Sequence, residues 1–283
     1  MSEPLAFKNG RFLPRSALAL DVHDVGFVAG ASITDYTRTY GGKLFAWPRH
    51  LVRFRADCAA CDVPLKLSDT ELTLAAQELI AANYTGVELS LILCATPGTL
   101  GYMGAADERG SRGTVLMHTF PVPWDRYARF FTHGVELAVV GHYPIYDGGF
   151  TQLLSSKHRS RMQWHLARQH PLAKKHPEAL PAFSTAGGTL DTAVGSVIAV
   201  RGAELFFGTP GTALHSISAD IIRDAAAGLG YTAMSDAPPS PTELLLVGSA
   251  FGVAGIRTVI TAETAAEYAW PGPAVAAFAP LFA

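Results

Sequence analysis

The sequence predicts a protein of two α/β or α+β domains, and three observations carry that expectation. Segments with strand-like alternation recur along the chain, interleaved with segments of helical period. The 283 residues are 49% hydrophobic and only 16% charged, enough apolar material for a large core and far from a disordered composition. Near the middle, Pro121 and Pro123 in "PVPW" bar regular structure and mark a boundary. The domains expected are therefore residues 1–120 and 121–283.

The elements follow in order. "FKNGRFLP" and "RTYGGKLFAW" set Asn9-Gly10 and Gly41-Gly42 between alternating flanks, which reads as hairpins. "RHLVRFRADCAACDVPL" spaces Leu51, Phe54, Cys58 and Cys61 as one face of a helix. "SDTELTLAAQELIAANY" opens a second helix with Ser68 and Glu71 as a capping box. "VELSLILCAT" and "TVLMHTF" are strands on either side of a Gly-rich polar loop. After the prolines come the strand "GVELAVV", a lysine segment, and strands in "TLDTAVGSVIAVRGAELFF" around Arg201-Gly202. A helix in "SADIIRDAAAGLG" starts at Ser216 or Ser218 and stops at Gly228 or Gly230, and "TELLLVGSAFGVAGIRTVI" supplies the last strands.

A net charge of -2 offers no broad positive field for nucleic acid or an anionic membrane. "MSEPLAFKNGRF" lacks the pattern of a signal peptide and no apolar run is long enough to cross a bilayer, so a cytoplasmic location is expected. Three cysteines build no disulfide framework, and Cys58 and Cys61, a lone CxxC, read as helix residues rather than a metal or redox site. No Walker lysine motif, HExxH or GxSxG occurs.

The segment "LLSSKHRSRMQWHLARQH" holds Lys157. A lysine amine is a nucleophile only when deprotonated, and burial near other cations lowers its pKa. Judged by Arg159 and Arg161 alone, Lys157 reads as a solvated charge. The surrounding motifs change that reading. "DVGFVAGASITDYTRTYGGKLFAWPRHLVRF", with "SKHRSRM", "LHSISADIIRDAA" and "VGSAFGV" behind it in order, resembles the class IV aminotransferase superfamily, the pyridoxal-phosphate enzymes of fold type IV. That group includes branched-chain and D-amino-acid aminotransferases and aminodeoxychorismate lyase. The likeness implies a D-amino-acid aminotransferase-like fold, with an α+β N-terminal domain, a barrel-like α/β C-terminal domain carrying the lysine, and the cofactor held between them.

By this resemblance Lys157 is the Schiff-base lysine, and Arg53 binds the phosphate of pyridoxal 5'-phosphate with forked, permanently charged donors. Ile217 and Ser218 offer the phosphate a helix start, whose unpaired N–H groups and dipole suit an anion. Leu214 packs on the pyridine ring, and Ser249, with Ala250 beside it in "VGSA", supplies a hydroxyl where the family has threonine. Thr192 falls where relatives keep a glutamate for the ring nitrogen, a weaker electron sink; Asp191 is next door but points to the opposite strand face unless a bulge intervenes. On the substrate side, Pro97 replaces an arginine of the D-amino-acid branch, while Arg38, together with Arg109 and Arg112 on the loop, is a candidate to bind a substrate carboxylate and Tyr36, Tyr102 and Tyr143 are candidates to line a pocket. Met162 stands where branched-chain enzymes have tyrosine.

The expected activity is transfer of an amino group between an amino donor and a keto acid by a homodimer. A pyridoxal-phosphate lyase is the alternative, and a homologue that only binds a ligand is a third possibility.

Overall fold

The computed structural model describes residues 3–99, 113–143, 155–235 and 240–283. It divides into two compact units: the chain up to Val122 together with Ser156–Ser160, and Pro123–Ser155 together with Arg161–Ala283.

The first unit is an antiparallel sheet in the order Arg11–Pro14, Leu5–Lys8, Thr114–Pro121, Leu89–Thr96, Ile33–Tyr40, Lys43–Leu44. Asn9 and Gly10 both adopt positive φ, 49° and 85°, the left-handed pair that a two-residue hairpin of matching twist requires. Helices Trp47–Ala60 and Asp69–Asn83 cover one face. Their apolar stripes supply Leu51, Phe54, Leu72 and Leu79, which meet Leu91, Leu93 and Met117 from the sheet. Each such side chain taken from water stabilises the unit by about 1.5–3 kcal/mol. The capping box is present in full: Ser68 Oγ accepts from Glu71 N, and Glu71 Oε2 accepts from Ser68 N.

Asp24 fastens the turn ahead of the strand Ile33–Tyr40. Its buried carboxylate accepts from Gly26 N at 2.8 Å, Thr96 Oγ1 at 2.9 Å and Thr114 Oγ1 at 3.0 Å, tying the turn to two strands.

The second unit contains a sheet that closes on itself. Strands Ser196–Arg201, Glu243–Gly248, Gly252–Ile260, Val135–His142, Leu180–Ser184 and Leu190–Thr192 pair in turn, and Asp191 opposite Ser196 joins the last to the first. Closure removes free sheet edges along that circuit. Strands Glu204–Phe206, Thr232–Met234 and Ala265–Glu267 extend it. Helix Ile217–Ala226 is capped by Ser216, whose Oγ accepts from Ala219 N, and buries Ile222. Gly230, left-handed at φ 81°, ends the turn after it. Among the described residues no helix is long and apolar enough to cross a membrane.

The sequence-based boundary falls at 120, with the lysine in the later domain; the contacts instead set Ser156–Ser160 in the first unit. The cause is a run of bonds that attaches this segment to the first sheet and its helix.

Candidate active site

Lys157 is half-buried and held on both sides by its backbone. Its N–H donates to Asp57 Oδ2 at 2.9 Å, and its carbonyl accepts from Thr34 N at 2.8 Å. Arg159 N donates to Ser32 O, Ser160 Oγ to Gly30 O, and Cys61 Sγ approaches Ser156 Oγ at 3.5 Å. The segment thus lies along the strand Ile33–Tyr40 and against the end of the helix Trp47–Ala60.

Arg53 lies one helical turn before Asp57 and is buried. It holds Asp35, donating from Nε to Oδ2 at 3.0 Å and from Nη2 to Oδ1 at 2.8 Å. His50, on the same helix face and fully buried, joins Asp35 Oδ1 through Nδ1 at 2.7 Å, and Tyr36 N donates to that oxygen at 2.6 Å. Burial pushes the Asp35 carboxyl upward, but the Arg53 charge, together with His50 and its hydrogen bond, outweighs it and holds the pKa at about 2. His50 is shifted down, because burial of the cation outweighs the pull of Asp35. The imidazole is therefore neutral at pH 7 with its proton on Nδ1 facing the carboxylate, and Nε2 is buried with no hydrogen-bond partner among the described residues.

Of the substrate-side residues, Arg38 is 2% exposed, its Nε donating to Thr39 O at 3.0 Å and its guanidinium lying 4.1 Å over the Tyr40 ring. Tyr36 shares a 2.6 Å bond between its hydroxyl and Ser90 Oγ. Pro97 is half-buried just beyond the strand Leu89–Thr96. Tyr102, Arg109 and Arg112 lie outside the described residues.

In the second unit, two of the expected cofactor segments come together. The turn Ala193–Gly195 packs on the turn Gly248–Phe251 so closely that a Cβ on Gly248 would sit 2.6 Å from Val194 O. Ser249, half-buried, and buried Ala250 lie in that second turn. Thr192 is 5% exposed, and its hydroxyl donates to Gly195 O at 2.7 Å while accepting from Gly195 N at 3.0 Å and Val194 N at 3.2 Å. A hydroxyl has one donor and two acceptor positions, so the turn uses all of them.

Asp191 pairs with Phe183 in regular register beside Ala182↔Thr192, so no bulge turns it to the face of Thr192. Its buried carboxylate accepts from Tyr143 OH at 3.1 Å and Ser196 Oγ at 3.3 Å. Burial, with Asp191 beside it, raises the Tyr143 pKa, so the phenol stays a donor.

Ser218 occupies the first turn of the helix Ile217–Ala226. It is 1% exposed, and its hydroxyl has no partner among the described residues. A buried polar atom left unpaired at a helix start, where N–H groups and the dipole favour an anion, is suited to a phosphate oxygen. Ile217, just before it in the chain, is buried and Leu214 is half-buried. Met162 is 67% exposed.

Sequence reading missed Asp35, His50 and Asp57. The available signal was "RHLVRF": His50 and Arg53 at i, i+3 share a face with Leu51 and Phe54, and a cation on a buried face demands an anion.

Comparison with known proteins adds the family. The family model for amino-transferase class IV matches residues 32–260. A D-alanine aminotransferase of Bacillus licheniformis is 31% identical over 117 residues, 40% of this chain and 40% of that protein. One from Staphylococcus aureus is 30% identical over 149 residues, 52% of this chain and 43% of its own length. The matched stretches thus span about two fifths of these relatives. Among solved structures, a branched-chain aminotransferase of Thermoproteus uzoniensis with norvaline superposes with TM-score 0.82 at 17% identity, covering 99% of this chain and 94% of that one. A hypothetical aminotransferase from Mycobacterium tuberculosis in PLP-bound form gives 0.80 at 19% identity, covering 98% and 97%. At that identity the likeness establishes the fold.

Proposed function

The chain belongs to the class IV aminotransferase family, and from that premise we propose that it is a pyridoxal-phosphate-dependent aminotransferase moving an amino group between an amino acid or amine and a keto acid. One observation carries the reading: Lys157, which the resemblance puts at the family's lysine position, is anchored by its backbone to Asp57, one helical turn from a buried arginine clamped on a carboxylate.

The residues fit the cofactor. Ser218 offers an unpaired, buried hydroxyl at a helix start, Ser249 a second hydroxyl, and Arg53 a permanent cation; these are the groups proposed to meet its phosphate. When bound, the cofactor supplies an aldehyde and an electron-withdrawing ring. Lys157 Nζ would hold the cofactor by its aldehyde and, when free, would carry a proton from the substrate's alpha carbon to the former aldehyde carbon, acting as base and then as acid. Leu214 is proposed to pack on the ring face. Thr192 lends no charge to a ring nitrogen, since its hydroxyl is spent on its own turn.

Arg38, Tyr36, Pro97 and Tyr102 are proposed for the substrate side, with Arg38 acting from a buried position. A homodimer in the cytoplasm is part of the same proposal; the absence of any membrane-crossing helix among the described residues is compatible with it. The likeness to D-alanine aminotransferases makes a D-amino acid the first donor to try.

The test is an assay of amino donors against pyruvate and 2-oxoglutarate. Keto-acid exchange supports the transferase. Pyruvate released with no acceptor present identifies the lyase alternative, and neither outcome, in protein that binds no cofactor, leaves a ligand-binding homologue.

A further inference from the structure

We propose that Asp35 is a positioning residue that sets the charge state of Lys157 through space, its clamped carboxylate offsetting the neighbouring Arg53 cation at the lysine amine. This rests on the role proposed for Lys157.

The geometry supplies the argument. Lys157 O is bonded to Thr34, the residue before Asp35, and Lys157 N to Asp57, one turn along the helix from Arg53. The lysine is therefore fastened between the strand that carries the anion and the helix that carries the cation. Both charges are fixed: Asp35 accepts two bonds from Arg53, one from His50 and one from Tyr36 N, so neither partner can swing away. Lys157 in turn is among the charges acting on Asp35 and on His50.

Other titratable groups stand nearby among the described residues. On the helix, Asp57 is bonded to the lysine's own N–H, His50 is neutral at pH 7, and Cys61 lies just past the helix end against Ser156. On the lysine's segment stand His158 and the exposed Arg159.

The consequence follows from opposite signs. A nearby cation favours the neutral amine that reacts, and a nearby anion favours the ammonium that can return a proton. With Asp35 and Arg53 locked together, their effects on Lys157 oppose each other. Removing either one tips it in a known direction.

The experiment is competitive labelling of the full chain with acetic anhydride across the neutral to alkaline range, reading Lys157 acetylation by peptide mass spectrometry. Asp35→Asn leaves Arg53 unopposed and should lower the labelling midpoint by about one pH unit. Arg53→Gln should raise it by a similar amount. His50→Asn keeps a donor towards Asp35 and should leave it in place, as should Asp35→Glu, which keeps the charge. Midpoints equal to the wild type in folded Arg53→Gln and Asp35→Asn protein overturn the proposal. If Asp35→Asn does not fold, the upward shift in Arg53→Gln and its absence in Asp35→Glu still decide it. The labelling is done on protein freed of cofactor, because an amine held in an imine is not acetylated. Borohydride trapping on the wild type separately tests the covalent role of Lys157, so the two ideas fail independently.

Discussion

Arg53 and Asp35 form a two-point clamp, Nε to Oδ2 at 3.0 Å and Nη2 to Oδ1 at 2.8 Å, inside the core of the first unit. A buried pair of this kind is costly to break from one side, because the survivor keeps its charge without a partner. Asp35→Ala should destabilise the protein by about 3–5 kcal/mol in urea unfolding. A change under about 1 kcal/mol, the range of surface pairs, would mean that the clamp is solvated.

The same cluster makes stability depend on pH. Asp35 has a folded pKa of about 2 against 3.8 for the free group, and His50 is shifted below its ordinary 6.5. Both folded values are depressed, so each contribution is present above the unfolded pKa and lost as pH falls towards the folded one. Stability should begin to decline below pH 6.5 through His50 and decline again between pH 3.8 and about 2 through Asp35. Chemical denaturation at a series of pH values checks this, and His50→Asn should remove the upper limb while keeping the lower.

Thr192 gives a prediction opposite to that of a cofactor ligand. Thr192→Val removes the bond that the hydroxyl donates to Gly195 O and leaves Val194 N and Gly195 N without their acceptor, at a cost of about 1–3 kcal/mol. The absorbance of the bound cofactor should not move. A spectral shift in a variant of unchanged stability would place the hydroxyl on the ring instead.

Gly26 in "DVGF" is confined by contact. A Cβ there would overlap the Thr96 side chain and crowd Asp24 Oδ1 at 2.9 Å. Gly26→Ala should therefore cost about 1–3 kcal/mol in thermal or urea unfolding, the range for overpacking. No loss would show that the turn shifts freely.

The first unit was legible in the sequence wherever the determinants are local. Asn9-Gly10, the Ser68–Glu71 box and the apolar run in "VELSLILCAT" each act within a few residues, and the hairpin, the cap and the strand formed as expected. Closure of the second sheet was not readable from pattern: it depends on Asp191 meeting Ser196, and only the family resemblance implied a barrel. Lys157 looked like a surface charge because its anchors, Thr34 and Asp57, lie over a hundred residues upstream or close to it. Thr192 could be aligned but not judged, since what occupies its hydroxyl is the backbone of a turn.

The central claim is a covalent bond between Lys157 and a pyridoxal aldehyde. Borohydride reduction of the purified protein with added pyridoxal phosphate, followed by peptide mass spectrometry, tests it directly. The account predicts one stable pyridoxyl adduct on the peptide containing Lys157, absent from Lys157→Ala. Wild-type protein whose Lys157 peptide stays unmodified under saturating cofactor would contradict it.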